Sequence, residues 1–281
     1  MSIIFKSMVA AGMGLALAGT AMAADLAPVA APPAPVAAPP APLWDIAFGM
    51  KLANDYVFRG LDQTNGHFAA QGYVEGRAFD WIYAGVWTSN VSFPSNFGFT
   101  NPSAEVDVYG GIRHTWDNLT LDVGALYYVY PNQINQPGLY GLDWFEVYFK
   151  PTYVINDTFT IGGMVSYTPS YVNTDSPGVY VAGNIKANLP TFLPWKDVTP
   201  YVSAEVGGQF LEENRFGVSL PSYATWNVGI GATLSAMTLD LRYIGSSLSS
   251  TSCQTLTGVH NWCGNRFVAS LSFDTTLFTL K

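Results

Sequence analysis

The stretch LTLDVGALYYVY, residues 119–130, decides the reading of this chain. Leu119, Leu121, Val123, Ala125, Tyr127 and Val129 share one face of an extended chain, and Thr120, Asp122, Gly124, Leu126, Tyr128 and Tyr130 share the other. Alternation over that length reads as a strand with one apolar face and one more polar face. The pattern recurs at 44–58, 68–79, 81–93, 103–115, 143–155, 158–168, 178–188, 199–210, 222–234, 236–247 and 265–277, with no helical segment between. It predicts an all-β fold: a transmembrane, antiparallel, up-and-down β-barrel of about 12 strands, apolar outside and wet inside.

The connections support this. Asp80, Trp116-Asp117, Asn156-Asp157 and Ser235-Ala236 leave room only for tight turns, and Leu189 to Val198, with Pro190 and Pro194, is the exception in that set. The alternate connections, 59–67, 94–102, 131–142, 169–177, 211–221 and 248–264, are longer. Short periplasmic turns alternating with longer outer loops are the expected barrel topology, and an even strand number puts both termini on the periplasmic side. The N-terminus needs that same side. Lys6, the small apolar run Met8–Ala18 and Ala21-Met22-Ala23 read as a signal peptide over 1–23, cleaved before Ala24. Residues 24–43 are Ala- and Pro-rich without periodicity. They read as an extended periplasmic tether, free to contact the cell wall or a periplasmic partner. The barrel domain then occupies 44–281, in the outer membrane of a Gram-negative bacterium.

Composition narrows the partners. The net charge is −8, and removing Lys6 with the signal peptide makes it more negative, which excludes nucleic acid. Only 11% of residues are charged, too few for a water-facing surface of this size but suited to one facing lipid. Trp44, Phe79, Trp81 and Trp116 at one set of strand ends predict an aromatic girdle. Tyr127, Tyr130, Trp144, Phe145, Tyr167, Tyr180, Tyr223 and Trp226 predict a second toward the other.

By alternation the strand charges fall on the inward face. Strand 1 contributes Lys51, Asp55 and Arg59, with Asp45 in the same phase; strand 2 gives Glu75 and Arg77. Glu105, Asp107, Arg113, Asp122, Glu146, Lys150, Lys186, Glu205, Asp240, Arg242 and Asp274 follow. These are the candidate lumen-lining residues, with Tyr73, Tyr109, Tyr128 and Tyr148 narrowing the interior. Asp55 and Arg59, about 13 Å apart along a strand, are too distant to pair and are expected to meet neighbours such as Glu75, Arg77 or Asp107.

Several segments carry a family likeness. Asp55-Tyr56-Val57-Phe58-Arg59-Gly60 with Gln63-Thr64 forms an opening block, and Tyr83-Ala84-Gly85-Val86-Trp87-Thr88-Ser89-Asn90-Val91 a second. Glu105 to Gly110, Asp122-Val123-Gly124, Tyr127 to Pro131 and Glu146-Val147-Tyr148 follow. Together they resemble the TorF-type family of porin-like proteins, most specifically over about 45–150. The resemblance implies an outer-membrane barrel and passive transport. The C-terminal Phe278-Thr279-Leu280-Lys281, the Cys253/Cys263 pair and the tether depart from that pattern.

No catalytic constellation is evident, so no enzyme activity and no cofactor or metal are expected. His67 and His260 fall in loops and His114 at a strand end; His260 with Asp143 or Ser250 is the loose exception. Cys253 and Cys263, in the longest loop of an exported protein, read as a disulfide, with metal binding alongside His260 as the alternative. The functional expectation is a monomeric or small-oligomeric, weakly cation-selective channel for small hydrophilic solutes or ions, embedded in outer-membrane lipid. The alternative is a structural or surface barrel with a plugged lumen.

Overall fold

The computed structural model describes residues 43–93, 102–133, 141–191 and 197–279. The signal peptide and nearly all of the tether expected from the sequence lie outside these residues. Twelve strands close into an antiparallel barrel: β1 (Trp44–Ala53), β4 (Ala69–Ala78), β5 (Ile82–Asn90), β6 (Ala104–Trp116), β7 (Leu119–Val129), β8 (Trp144–Val154), β9 (Phe159–Thr168), β10 (Gly178–Asn188), β11 (Val198–Leu211), β12 (Tyr223–Leu234), β13 (Met237–Ser246) and β14 (Arg266–Thr276). Each strand pairs with its sequence neighbours. β1 meets β14 through Ala47↔Thr276 to Ala53↔Ser270, which closes the sheet and leaves no free edge. Two further strands, β2 (Val57–Phe58) and β3 (Leu61–Asp62), form a separate hairpin inside the first long loop.

At one end of the barrel the turns are tight. Phe79 and Asp80 both have positive φ, as do Asp117 and Ser235, the conformation that lets a short turn follow strand twist. Trp44 and Thr276 bring the two ends of the barrel chain to this same end. The opposite end carries the longer loops. One holds helix α1 (Ser250–Thr257), capped by Ser249 Oγ accepting from Ser252 N. No helix among the described residues is long and apolar enough to cross a membrane.

Alternation sorts the side chains. Val74, Val86, Val108, Ile112, Val123, Val165, Val206, Val228, Ile230 and Leu241 stand exposed on the outer surface. Glu75, Glu105, Asp107, Tyr128, Glu146, Ser166, Tyr180 and Gln209 are buried inside. The fold is thus inverted relative to a water-soluble domain, with its polar groups in the core and its apolar groups outside. Inward tyrosines fit over inward glycines of the next strand: a Cβ on Gly85 would lie 2.6 Å from the Tyr109 ring.

Three expectations need correction. Helix α1 lies between β13 and β14, although the sequence pattern predicts no helical segment between strands. β1 stops at Ala53, not at 58, because the chain turns into the barrel there. Tyr130, Trp144, Tyr180 and Tyr223 do not join an outer girdle; they are buried, in the inward phase. Tyr127, Phe145 and Tyr167 are exposed as expected, and so are Trp44, Phe79, Trp81 and Trp116. Trp81 stacks on His114 at 3.9 Å and meets Trp116 edge-on at 5.5 Å.

Candidate functional site

The site is built by the first long loop. Residues 55–64 are all buried, a continuous run that a wall strand with one exposed face cannot give. Val57 pairs with Asp62 and Phe58 with Leu61, so Arg59 and Gly60 form a two-residue turn. Both have positive φ, 47° and 76°. Glycine suits the second place for another reason: a Cβ there would lie 2.8 Å from Ser246 Cβ.

Arg59 therefore sits at the tip of an inward hairpin and not on a wall strand. From the end of β1 the hairpin reaches the facing wall, half the strand order away. Arg59 Nη1 and Nη2 donate to Glu146 Oε1 and Oε2 on β8 at 2.8 and 2.7 Å. Nη1 also donates to Gln209 Oε1 on β11 at 2.9 Å, and Nη2 to Ser166 Oγ on β9 at 3.0 Å. The guanidinium lies 4.3 Å from the Tyr180 ring on β10 and 4.6 Å from Phe58. The side chains of the ion pair are only 1% and 2% exposed, so this is a buried pair, dependent on the hydrogen bonds made by Nη1 and Nη2.

The root of the hairpin is fixed separately. Arg266, at the start of β14, donates through Nη1 to Asp55 at 2.7 Å and Asp62 at 2.5 Å. Burial raises the Asp55 carboxyl above its ordinary range, and the Arg266 hydrogen bond works against that rise. Thr64 Oγ1 donates to Asp55 and Thr64 N to Asp62, closing the root on itself. Asp62 N donates to the Trp262 carbonyl, and Trp262 Nε1 to Asn65 Oδ1. Cys253 and Cys263 are joined by a disulfide, and with Trp262 and Tyr223 they pack against Leu61. The disulfide uses both thiols that the alternative metal site would need.

Between root and tip lies an acidic layer. Glu105 accepts from Tyr56 at 2.7 Å and from Tyr130 at 2.6 Å. Glu146 accepts from Tyr128 at 3.0 Å. Asp107, two residues along β6 from Glu105, is fully buried and neither carboxylate oxygen has a hydrogen-bond partner.

Nearer the tight turns, the inward charges pair among themselves. Glu75 accepts from Arg77 Nε at 2.6 Å and Arg113 Nη1 at 3.2 Å. Arg113 Nε reaches Asp122 at 2.9 Å, and Tyr83 donates to Asp122 at 2.5 Å. Arg242 holds Asp240, Asn227 and Ser203. Lys150 lies 4.6 Å from the Tyr148 ring and Lys186 4.3 Å from Tyr201. Lys51 and Asp274 lie in the inward phase on paired strands β1 and β14, Asp45 follows Lys51's phase, and Glu205 is buried on β11. Alternation singles out these residues but not their partners. Asp55 meets Arg266, and Arg59 meets Glu146, in place of the Glu75, Arg77 or Asp107 expected.

His260 Nδ1 lies 3.3 Å from the Ser250 carbonyl oxygen, while Asp143 accepts from Tyr130 N and Gln133 Nε2.

Among solved structures, the chain is similar to the KdgM porin in complex with disordered oligogalacturonate, with 9% identity over 82% of this chain and 98% of that one, at a TM-score of 0.48. A NanC porin aligns with 11% identity over 82% and 98% at 0.47. An outer-membrane channel of Pseudomonas putida F1 aligns with 9% identity over 84% and 96% at 0.44. A comparison with curated protein sequences finds no match. Residues 37–274 match the model of a bacterial family described as of unknown function, Gcw_chp, and the chain belongs to that family.

Proposed function

We propose that this protein is a porin-like channel of the outer membrane, passing small hydrophilic solutes or ions by passive diffusion through a barrel narrowed by the 54–68 loop. The observation that carries the reading is the sidedness of the wall: a closed barrel exposes Val, Ile, Leu and Phe outward while its carboxylates and guanidinia are buried inside. Lipid is the solvent that such an exterior fits, and a closed sheet is one of only two backbone arrangements that satisfy every peptide group within it. The tight-turn end, with both barrel termini, is the periplasmic side in this reading. Residues 1–23 serve as the export signal and 24–43 as a tether beneath the membrane. The resemblance of the opening blocks to TorF-type proteins supports the same assignment. Acids outnumber bases among the inward side chains, which favours cations weakly.

A second reading is supported by the hairpin itself. A loop bonded to both walls is also what a plugged, structural barrel would contain. Purified protein in a planar bilayer separates the two. A small, weakly cation-selective conductance is expected; no conductance under any salt or voltage would favour the plugged barrel.

A further inference from the structure

The surroundings of Arg59 have the composition of a binding site for a cation. Glu146 presents both oxygens to the guanidinium fork, Ser166 and Gln209 supply further acceptors, and the faces of Tyr180 and Phe58 cover the planar group. Carboxylate, neutral acceptors and aromatic faces are the groups that recognise guanidinium and alkylammonium ions. All but Phe58 belong to the wall, on four successive strands, and would remain if the hairpin tip moved away.

The wall also holds a second carboxyl group here that no hydrogen bond satisfies. Asp107 is fully buried with both oxygens unpartnered, and the charged groups acting on it are Glu105 and Glu146. In register it lies opposite Tyr128, whose hydroxyl donates to Glu146 and whose ring stacks on Trp144 at 4.1 Å. A buried carboxylate without a partner needs compensation from a cation or a proton. Asp107 therefore adds a carboxyl group with unused oxygens beside a carboxylate already holding a guanidinium.

We propose that the wall around Glu146 and Asp107 is a binding site for small organic cations carrying a guanidinium or alkylammonium group, and that Arg59 occupies it as a placeholder from within the chain. This rests on the channel reading for its physiological sense, since the cation would be the solute in transit. The binding chemistry does not depend on conduction. A solute of this class competes with the hairpin tip for Glu146, so entry of the solute and withdrawal of the constriction are one exchange.

The test uses ethylguanidinium as the probe, with neutral ethylurea as its control of similar shape, and calorimetry on the purified full-length protein in detergent. Arg59→Ala should bind ethylguanidinium roughly tenfold or more tightly than wild type, because the placeholder is gone. Adding Asp107→Asn should weaken that binding by roughly tenfold, and ethylurea should not bind. Should Arg59→Ala fail to fold, Arg59→Gln removes the charge while keeping a hydrogen-bonding group, and the same ranking is expected. Equal binding of ethylurea and ethylguanidinium, or no effect of Asp107→Asn, overturns the proposal. Bilayer conductance of the same preparations is read separately. Tight probe binding by a non-conducting protein would leave the cation site standing and remove the channel.

Discussion

The wall and the hairpin are held by different balances of forces, although both contain apolar and charged residues. A wall strand such as β7 is bonded along its length to β6 and β8 by main-chain ladders, and its side chains only choose between inside and outside. The hairpin meets the rest of the protein through few main-chain bonds, among them Asp62 N to Trp262 O and Ser92 N to Gln63 O. The rest of its grip is side chains: Arg59 on Glu146 at the tip, Arg266 on Asp55 and Asp62 at the root, and Tyr56, Val57, Phe58 and Leu61 packed among buried apolar residues between them. Single-residue changes should therefore leave the wall standing where they respect its alternation, but should release the hairpin where they remove one of a few carboxylates.

The sharpest separation comes from Glu146→Ala. It leaves Arg59 buried without its carboxylate, a loss of about 3–5 kcal/mol for a buried pair. Because the strand ladders persist, the cost should be met by withdrawal of the hairpin, with the barrel still closed. Single-channel conductance should rise severalfold, while the heat resistance of the folded band in gel electrophoresis falls only modestly. Unchanged conductance with full loss of folding would mean that wall and hairpin are one cooperative unit.

The outer face supplies the opposite case. Ile230 on β12 is exposed in the middle of its strand, among apolar neighbours. Ile230→Arg should cost about 2–4 kcal/mol if that face meets the bilayer midplane, and close to nothing if it meets water. Reversible unfolding from lipid vesicles measures the difference. The hairpin should be unaffected, so any protein that does insert should conduct as wild type.

The same division explains what can be read from sequence. The wall is legible because alternation is local and a closed barrel enforces it on every strand. Alternation over 119–130 covers β7 to within one residue, and the turns near Asp80, Asp117 and Ser235 mark one end of the barrel. The hairpin is hidden because its signals break the rule of alternation. Tyr56-Val57-Phe58 carry no polar residue to mark a phase, and Arg59-Gly60 lies between two short paired segments. That irregularity, taken as a two-residue turn, ends β1 near Ala53. Tyr130, Trp144, Tyr180 and Tyr223 have the chemistry of girdle residues, but their phase along the strands points inward, and phase decides. The partner of Arg59 is not accessible from sequence at all, since Glu146 is 87 residues away and only barrel closure brings them together.

The disulfide tests how far the root depends on the last long loop. Cys253 and Cys263 close a loop of separation 10, and packing against Leu61 links it to the hairpin. Replacing both by Ser should cost about 2–3 kcal/mol through chain entropy. The expected consequence is faster flicker of the open channel, because Trp262 would hold Asp62 and Asn65 less firmly. Identical gating with lower thermal stability would confine the disulfide to its own loop and leave Arg266 as the anchor of the root.

The smallest expected effect concerns selectivity, and it depends on both regions at once. Most inward acids of the tight-turn half are paired, Glu75 and Asp122 with Arg113, and Asp240 with Arg242, so their fields cancel over short distances. The acids without a base of their own lie near the hairpin: Glu105 accepts from Tyr56 and Tyr130, and Asp107 has no hydrogen-bond partner. Fixed negative charge raises local cation concentration and repels anions, but a small excess gives only a weak bias. Asp107→Asn should accordingly shift the reversal potential in a salt gradient by a few millivolts toward anions, about the scale of a fraction of a kcal/mol. The shift should be visible at 0.1 M salt, where the screening length is about 10 Å, and vanish near 1 M, where it is about 3 Å. Asp274→Asn, far from the hairpin near the tight-turn end of β14, should shift it less. Equal shifts from the two would mean that the whole interior sets selectivity and the hairpin region has no special part. Strong anion selectivity in the wild type would mean that basic loop residues such as Arg215 dominate the field.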